Sequence, residues 1–141
     1  MTQTAMKITT KTFNQLTTAE LYEILQLRSE VFVVEQDCVY QDIDGKDDKA
    51  LHVLGIKNDV IVAYTRCFQP GDYFKEASIG RVVVEKSQRK FNYGNKIMVA
   101  SINAIKQQYN TETIKISAQC YLNKFYTQLG FKNIGEEYLE D

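Results

Sequence analysis

Hydrophobic and polar residues alternate along the chain with periods that predict strands and helices in a mixed order. The stretch from Met6 to Phe13 is rich in Thr and Ile, which is typical of a strand. The four residues from Thr17 to Glu20 then have the spacing of a capping box, and the apolar residues after them recur every three or four positions. We therefore expect a helix that begins there and runs to about Phe32.

The middle of the chain predicts an exposed loop followed by a hairpin. Residues from Glu35 to Lys49 are polar and acidic, which indicates a loop in contact with solvent. Two apolar runs follow, Leu51 to Lys57 and Val60 to Phe68, and the dipeptide Asn58-Asp59 separates them. Because Asn and Asp tolerate the positive φ angles of a tight turn, these two runs predict a β-hairpin.

The second half of the chain alternates strands with helices. The predicted elements are a strand over Ala77 to Glu85, a helix over Lys96 to Tyr109, a strand over Thr113 to Ile116, a helix over Tyr121 to Leu129 and a strand from about Phe131. A passage from strand to helix to strand implies that its two strands are parallel. The fold class is therefore α/β, or α+β, with a mixed central sheet and flanking helices.

Composition narrows the class of protein. A length of 141 residues with 44% hydrophobic residues suits one domain with a real core. A net charge of -1 argues against nucleic acid as a partner, and every apolar run is too short to span a membrane, so we expect a cytoplasmic protein. The three cysteines Cys38, Cys67 and Cys120 are far apart in apolar or aromatic sequence, which predicts buried thiols rather than a disulfide framework or a zinc site.

The segment from Val82 to Lys96 has the features of an anion site. A strand ends, a polar turn follows and a helix begins, so free backbone N–H groups and the helix dipole point at one place. Gly94 permits close approach of the backbone, and Asn92 accepts a left-handed conformation. Neither a P-loop nor a dinucleotide fingerprint is present, and an ordinary polar turn explains this segment equally well when it is taken alone.

A second segment turns this pattern into a family resemblance. The two motifs are Arg89-x-x-Asn92-x-Gly94 after a Val-rich strand and Phe125-Tyr126-x-x-x-Gly130-Phe131 about thirty residues later. Together they resemble the acetyl-CoA site of the GCN5-related N-acetyltransferases (GNAT), in which a glycine usually stands at the position of Asn92. The blocks that begin at Leu27, Tyr40 and His52 are similar to the ElaA-type subgroup of that superfamily.

The resemblance implies a single GNAT-type domain over residues 1 to 141, in which two parallel strands splay apart and hold the pantetheine of acetyl-CoA between them. Backbone groups of Val82 and Val84 would bind the pantetheine, while the Val83 side chain packs in the core. The residues implied in cofactor binding are Val82, Val83, Val84, Arg89, Lys90, Phe91, Asn92, Tyr93, Gly94, Asn95, Asn123 and Tyr126.

The same resemblance places catalytic and substrate-binding groups. Tyr126 is the expected general acid for the leaving thiolate, and a core tyrosine is the alternative. The candidates for general base are Glu35 and His52. The candidates for acceptor binding are Glu35, Asp42, Asp44 and His52, and the three acidic residues among them would also attract a cationic amine. His52 in an apolar strand is also typical of a hydrogen-bonded core residue, and Arg28 on an apolar helix face is expected to pair with a carboxylate.

The expected function is transfer of an acetyl group to a primary amine of a small molecule or peptide, by direct attack in a ternary complex. The alternatives are a non-catalytic acyl-CoA-binding or interaction module and transfer of a longer acyl group. A calcium loop at Asp42 is rejected because the glycine and the ligating Glu of an EF-hand are misplaced. Relatives usually continue past Asp141 into a segment that completes the last strand, so we expect either a C-terminus that lacks this strand or another element that covers the sheet edge, and an open edge predicts a homodimer.

Overall fold

The chain forms a twisted sheet with a helix on each face, in a computed structural model that describes residues 5–37, 41–111, 113–117, 131–134 and 137–140. The strands are β1 Lys7–Thr12, β2 Leu51–Lys57, β3 Val60–Phe68, β4 Ala77–Val84, β5 Ile114–Ser117, β6 Phe131–Ile134 and β7 Glu137–Glu140. The helices are α1 Thr18–Arg28 and α2 Tyr93–Tyr109, with short 3-10 turns at Phe13–Gln15, Asp47–Lys49 and Lys86–Phe91. The predicted helix over Tyr121 to Leu129 lies outside the described residues.

The seven described strands follow the order β1-β2-β3-β4-β5-β7-β6. Every neighbouring pair is antiparallel except β4 and β5, which are parallel. This confirms the predicted mixed sheet and its parallel pair on either side of α2. The predicted final strand near Phe131 is confirmed by β6.

The parallel pair β4 and β5 separates before β4 ends. Their pairing covers Ala77 with Ile114 through Ile79 with Ile116, while β4 continues to Val84. At Arg81 the backbone is left-handed, with φ 50°, and the pairing of β4 with β3 changes register there, as at a β-bulge. Among the described residues, the edge of β4 beyond Ile79 therefore has no strand paired to it on the β5 side.

Local sequence signals position the first helix and the hairpin. The Thr17 hydroxyl accepts the Glu20 N–H at 3.0 Å and the Glu20 carboxylate accepts the Thr17 N–H at 2.9 Å, which confirms the capping box. Asn58 and Asp59 have φ angles of 53° and 65°, the two positive values of a tight hairpin turn, so the predicted β2–β3 hairpin is also confirmed.

The end of α1 differs from the prediction. The α-helix ends at Arg28, four residues before Phe32, and the chain continues as a π-helical segment over Ser29–Glu35. Three β-branched residues and a phenylalanine stand in a row from Val31 to Val34, and such residues have low α-helical propensity. The wider π-helical turn carries Glu35 at its end, where it reaches the loop after β4.

The core lies in two layers, one on each face of the sheet. On one face α2 packs Ile97, Met98, Ile102 and Ile105 against strand residues that include Cys67, Ala77 and Ile79. On the other face α1 packs Ile24 and Leu27 against Leu54, Tyr64 and Val83. Along β2, β3 and β4, alternate side chains therefore face one helix or the other, which sets the face on which the site residues of these strands lie.

Candidate active site

Beside the point where β4 and β5 separate lies a buried cluster of three arginines and three aspartates, which we call the arginine–aspartate cluster. Its members are Arg28, Arg66, Arg81, Asp42, Asp44 and Asp47. Arg28 donates to Asp42 Oδ2 and to Asp47 Oδ1, both at 2.8 Å. Arg66 donates to both Asp44 oxygens at 2.8 Å and to Asp47 at 3.0 Å. The expectation that Arg28 pairs with a carboxylate is confirmed.

The segment from Glu35 to Lys49 is only partly the exposed loop that its polarity predicts. Asp42 and Asp47 are buried, because they neutralise arginines that project from α1 and β3. Three positive and three negative charges balance within the cluster. Asp42 and Asp44 are therefore held in internal ion pairs, and this arrangement does not favour them as an open anionic surface for a cationic amine.

The cluster should make the protein sensitive to acid. Burial opposes ionisation of Asp44, but the hydrogen bonds and positive charge of Arg66 outweigh burial and lower the pKa of Asp44 to about 2. The pKa of Asp47 is also lowered, because Arg28 and Arg66 together outweigh the effect of burial. A carboxyl whose pKa is lowered on folding stabilises the fold above its unfolded pKa of about 3.9, and this stabilisation is lost as the pH falls towards 2. We expect urea denaturation to show this loss between about pH 4 and pH 2, with a smaller loss in Asp44→Asn. An equal loss in both proteins would contradict the assignment to Asp44.

His52 is buried beneath this cluster and is bonded at both ring nitrogens. Its Nδ1 lies 2.6 Å from the Tyr64 hydroxyl and its Nε2 lies 2.9 Å from the Asp47 carbonyl oxygen. Burial lowers the pKa of His52, so the imidazole is held neutral. The side chain is fully shielded from solvent, and this geometry favours the core interpretation of His52 over a role as general base.

Glu35 and Arg89 join the π-helical segment to the loop after β4. The Arg89 guanidinium donates to the two Glu35 oxygens at 2.6 and 2.8 Å, and its Nε donates to the Val84 carbonyl at 3.1 Å. The Arg89 pairing lowers the pKa of Glu35, which makes this carboxylate a weaker proton acceptor. The geometry therefore favours Glu35 as a residue that positions the loop rather than as general base.

The start of α2 has the geometry of an anion site. Asn92 adopts the left-handed conformation that its position predicts, with φ 63° and ψ 28°. Its side chain does not cap the helix, and the first turn contains no acidic residue. The first N–H groups of α2 have no partner inside the helix and point out of its N-terminus, and Gly94 and Asn95 lie in this first turn.

Positive charge and aromatic rings surround this helix start. Lys57, at the end of β2, places its Nζ 4.0 Å from the centre of the Phe91 ring and donates to Gln88 at 3.2 Å. Lys90 lies over Phe91 at 5.2 Å and Lys96 over Tyr93 at 5.6 Å. Tyr93 is itself buried, so its side chain packs inward and only its backbone can face a ligand.

Of the remaining predicted site residues, three lie on β4 and two lie outside the described residues. Val83 is buried against α1, as expected of a packing residue, while Val82 and Val84 pack partly against the α2 side. Tyr126 and Asn123 lie outside the described residues, as do Cys38 and Cys120. Cys67 is buried, as its sequence predicts, and burial raises the pKa of its thiol to about 12.

Sequence reasoning missed several of these residues. Arg66 lies inside the apolar run of β3 and Lys57 ends the apolar run of β2, and a charge in such a run is a usable signal of a buried ion pair or cation–π contact. In the described part of the chain, no group of His, Cys, Asp and Glu side chains could hold a metal ion. Among the same residues, no helix is both long and apolar enough to cross a membrane.

A mixed sheet whose parallel strands separate beside an uncapped helix start is the architecture that the resemblance implies for an acyltransferase. The chain belongs to the GNAT family, since the family model described as an acetyltransferase (GNAT) domain matches residues 11–141. This confirms the family that the motifs indicate.

Similar proteins and solved structures support the same family assignment. Protein ElaA of Escherichia coli is 39% identical over 130 residues, which is 91% of this chain and 85% of ElaA, and its crystal structure matches with a TM-score of 0.85. An acyl-CoA N-acyltransferase from Pseudomonas aeruginosa matches with a TM-score of 0.91 and 32% identity, over 97% of this chain and all of that one. The PaiA N-acetyltransferase of Thermoplasma acidophilum, solved with coenzyme A, shares the fold over 95% of this chain and 97% of that one (TM-score 0.67, 10% identity).

Proposed function

We propose that this protein is an acetyl-CoA-dependent N-acetyltransferase that acts on a primary amine of a small molecule or peptide. The observation that carries the proposal is the separation of β4 from β5 after Ile79, next to the uncapped start of α2. A strand edge with unpaired backbone groups can bind an extended amide chain, and an uncapped helix start can bind a pyrophosphate. Acetyl-CoA contains both groups in one molecule.

Each part of the cofactor has a proposed position on the chain. The pyrophosphate would lie at the N–H groups from Asn92 to Asn95, with Lys90 and Lys96 adding positive charge. The pantetheine would run along β4 at Val82 and Val84, which would bring the thioester towards Gly80. Arg89 would act mainly as a positioning residue, because its guanidinium is already bonded to Glu35 and to the Val84 carbonyl.

The reaction we propose is direct transfer within a ternary complex. The amine nitrogen forms a bond to the acyl carbon while the bond from that carbon to sulfur breaks, and the amine loses the proton that balances the charge. Tyr126 would protonate the leaving thiolate, as the family resemblance implies. Cys67 does not suit an acyl carrier, since it is buried and the pKa of its thiol is raised to about 12.

One observation favours the second candidate, a non-catalytic acyl-CoA-binding module. The four residues first considered as base or acceptor ligand, Glu35, Asp42, Asp44 and His52, are all engaged by partners inside the protein. A GNAT domain that binds acyl-CoA and lacks a proton acceptor would turn over slowly. The test separates the two candidates by following both binding and turnover.

The experiment follows release of free CoA from acetyl-CoA in the presence of a panel of primary amines, with mass spectrometry of the acetylated product. If the protein is an acetyltransferase, release of CoA should saturate with one class of amine, and the product should be heavier by one acetyl group. Binding of acetyl-CoA without amine-dependent release would instead establish the non-catalytic module. Parallel reactions with longer acyl-CoA donors decide the preference for acyl length.

The conformation of Asn92 gives a prediction for affinity. Valine is strained in the left-handed region, at a cost of about 1–3 kcal/mol, so Asn92→Val should disturb the helix start and weaken acetyl-CoA binding about tenfold. Asn92→Gly should bind as the wild type does. Asn110, at the other end of α2, is left-handed too, with φ 51°, so Asn110→Val is the matched control that loses stability and keeps its affinity. Equal affinity in Asn92→Val and wild type, by calorimetry, would contradict the site.

A further inference from the structure

A buried lysine at the end of β2 contacts the loop that leads into α2. Lys57 is only 9% exposed, and its Nζ lies 4.0 Å from the centre of the Phe91 ring and 5.4 Å from that of the Tyr93 ring. The two rings are 5.4 Å apart and inclined by 34°, so both face one ammonium. The same Nζ donates to Gln88 Oε1 at 3.2 Å. Within the described residues, these partners of Lys57 all belong to the segment 88–93, which we call the helix-start loop.

The topology of the sheet brings Lys57 to this loop. The strands β2 and β4 run in the same direction on either side of β3, so their last residues, Lys57 and Val84, lie at the same end of the sheet. Val53, four positions before Lys57, packs on the α2 face of β2, and alternation places Lys57 on that face too. The lysine therefore stands where the chain crosses from β4 to α2.

The contacts of Lys57 lie on both sides of the left-handed residue that begins α2. Asn92 has φ 63° and ψ 28°, and its own side chain makes no capping hydrogen bond. Phe91 precedes it and Tyr93 follows it, and Lys57 contacts both rings. One ammonium therefore fixes the two neighbours of Asn92, and with them the direction of the first N–H groups of α2.

The positive charge of Lys57 is not neutralised by a carboxylate in the part of the chain that the structure describes. None of the ion pairs found there includes it. Moving an ammonium out of water is costly, and two ring faces and one neutral amide compensate only part of that cost. A net positive charge therefore remains at the base of the helix-start loop, where it favours an anion at the start of α2.

We infer that Lys57 is a positioning residue for the pyrophosphate of acetyl-CoA. It holds Phe91 and Tyr93 on either side of Asn92, which keeps the first N–H groups of α2 aimed at one point. It also adds a positive charge that the pyrophosphate balances. This inference rests on the proposed function, since the pyrophosphate is expected at the start of α2. Lys57 acts on cofactor binding and not on the chemical step.

Replacing Lys57 with methionine removes the ammonium and keeps an unbranched side chain. The affinity of Lys57→Met for acetyl-CoA and for CoA, measured by calorimetry, should fall about 5- to 30-fold, the range of a desolvated cation–π contact. The KM for acetyl-CoA should rise by the same factor, while kcat stays within about twofold. Lys57→Arg keeps a cation over the rings and should restore the affinity to within about threefold of the wild type. Unchanged affinity in Lys57→Met would overturn the inference.

A donor without a pyrophosphate separates positioning from general damage to the fold. Acetyl-pantetheine carries the thioester and ends before the group that the helix-start loop is expected to bind. Its kcat/KM should be equal in the wild type and in Lys57→Met, whereas kcat/KM for acetyl-CoA falls. Equal losses with both donors, together with a lowered melting temperature of the ligand-free protein, would assign Lys57 a purely structural role and overturn the inference.

A second variant tests the contact from its other side. Phe91→Leu removes the ring that lies 4.0 Å from Lys57 Nζ and should weaken CoA binding as Lys57→Met does. The double variant should bind CoA within about twofold of the weaker single variant, because both changes break one contact. Fully additive losses would contradict a shared contact and overturn the inference.

Lys11→Met is the matched control, since it removes the same charge with the same substitution. Lys11 pairs with His52 at the start of β2, whereas Lys57 ends that strand, and its Nζ lies 2.7 Å from Glu20. Its affinity for CoA should equal that of the wild type. A loss in Lys11→Met as large as that in Lys57→Met would assign the effect to net charge alone and overturn the inference.

Failure of this inference and failure of the proposed function give different results. CoA binding by the wild type that neither Lys57→Met nor Phe91→Leu weakens would overturn the inference and leave the acetyltransferase standing. Absence of CoA and acetyl-CoA binding in the wild type would overturn both.

Discussion

Replacing Arg28 with methionine should lower the free energy of unfolding by about 3–5 kcal/mol, the cost of breaking a buried ion pair by removing one partner. Arg28 is completely buried and donates to Asp42, to Asp47 and to the Asp42 carbonyl. Methionine fills a similar volume, so the loss is electrostatic. The carboxylates of Asp42 and Asp47 would remain buried, each with one fewer cationic partner.

An exposed ion pair provides the control. Lys11 and Glu20 are 2.7 Å apart, with side chains 29% and 20% exposed. Lys11→Met should cost at most about 1 kcal/mol, because solvent screens such pairs. Urea denaturation of both variants at pH 7 measures the difference. A cost for Arg28→Met as small as that for Lys11→Met would show that the arginine–aspartate cluster does not hold the segment of Asp42 and Asp47 in place.

The second large effect is catalytic. Tyr126→Phe should reduce kcat by about 10²- to 10⁴-fold, the range for loss of a general acid, while acetyl-CoA affinity stays within about twofold. Phenylalanine keeps the ring and removes only the hydroxyl that would protonate the leaving thiolate. Tyr126 lies outside the described residues, so its assignment rests on the motif that it shares with the GNAT family.

The pH profile distinguishes this role from a structural one. A general acid imposes an alkaline limb on kcat, and that limb should be absent from the residual activity of Tyr126→Phe. Tyr22→Phe, at an exposed tyrosine of α1, serves as the control and should match the wild type in rate and pH profile. A reduced kcat with an unchanged pH profile and a lowered melting temperature would assign Tyr126 to the core.

Features set by neighbouring residues were predictable from the sequence. The capping box at Thr17, the hairpin turn at Asn58-Asp59 and the left-handed Asn92 each depend on the conformational preference of a few adjacent residues. The parallel pair followed from the connection through a helix. The motif at Arg89 and Asn92 then indicated the family, which the comparisons confirm.

Contacts between distant residues were not predictable from local pattern. Arg66 and Asp44 are 22 residues apart, and Glu35 and Arg89 are 54 apart, so no short window contains both partners. The polarity of the segment from Glu35 to Lys49 indicated solvent, although three arginines from other elements bury part of it.

The central claim is that acetyl-CoA binds where β4 and β5 separate, at the start of α2. The most direct test is a calorimetric titration of the wild-type chain with acetyl-CoA, repeated with Asn92→Val and with coenzyme A as competitor. We predict one saturable site per chain that coenzyme A competes for and that Asn92→Val weakens about tenfold. A cooperatively folded protein that shows no saturable heat with acetyl-CoA, and no rise in melting temperature, would contradict the account.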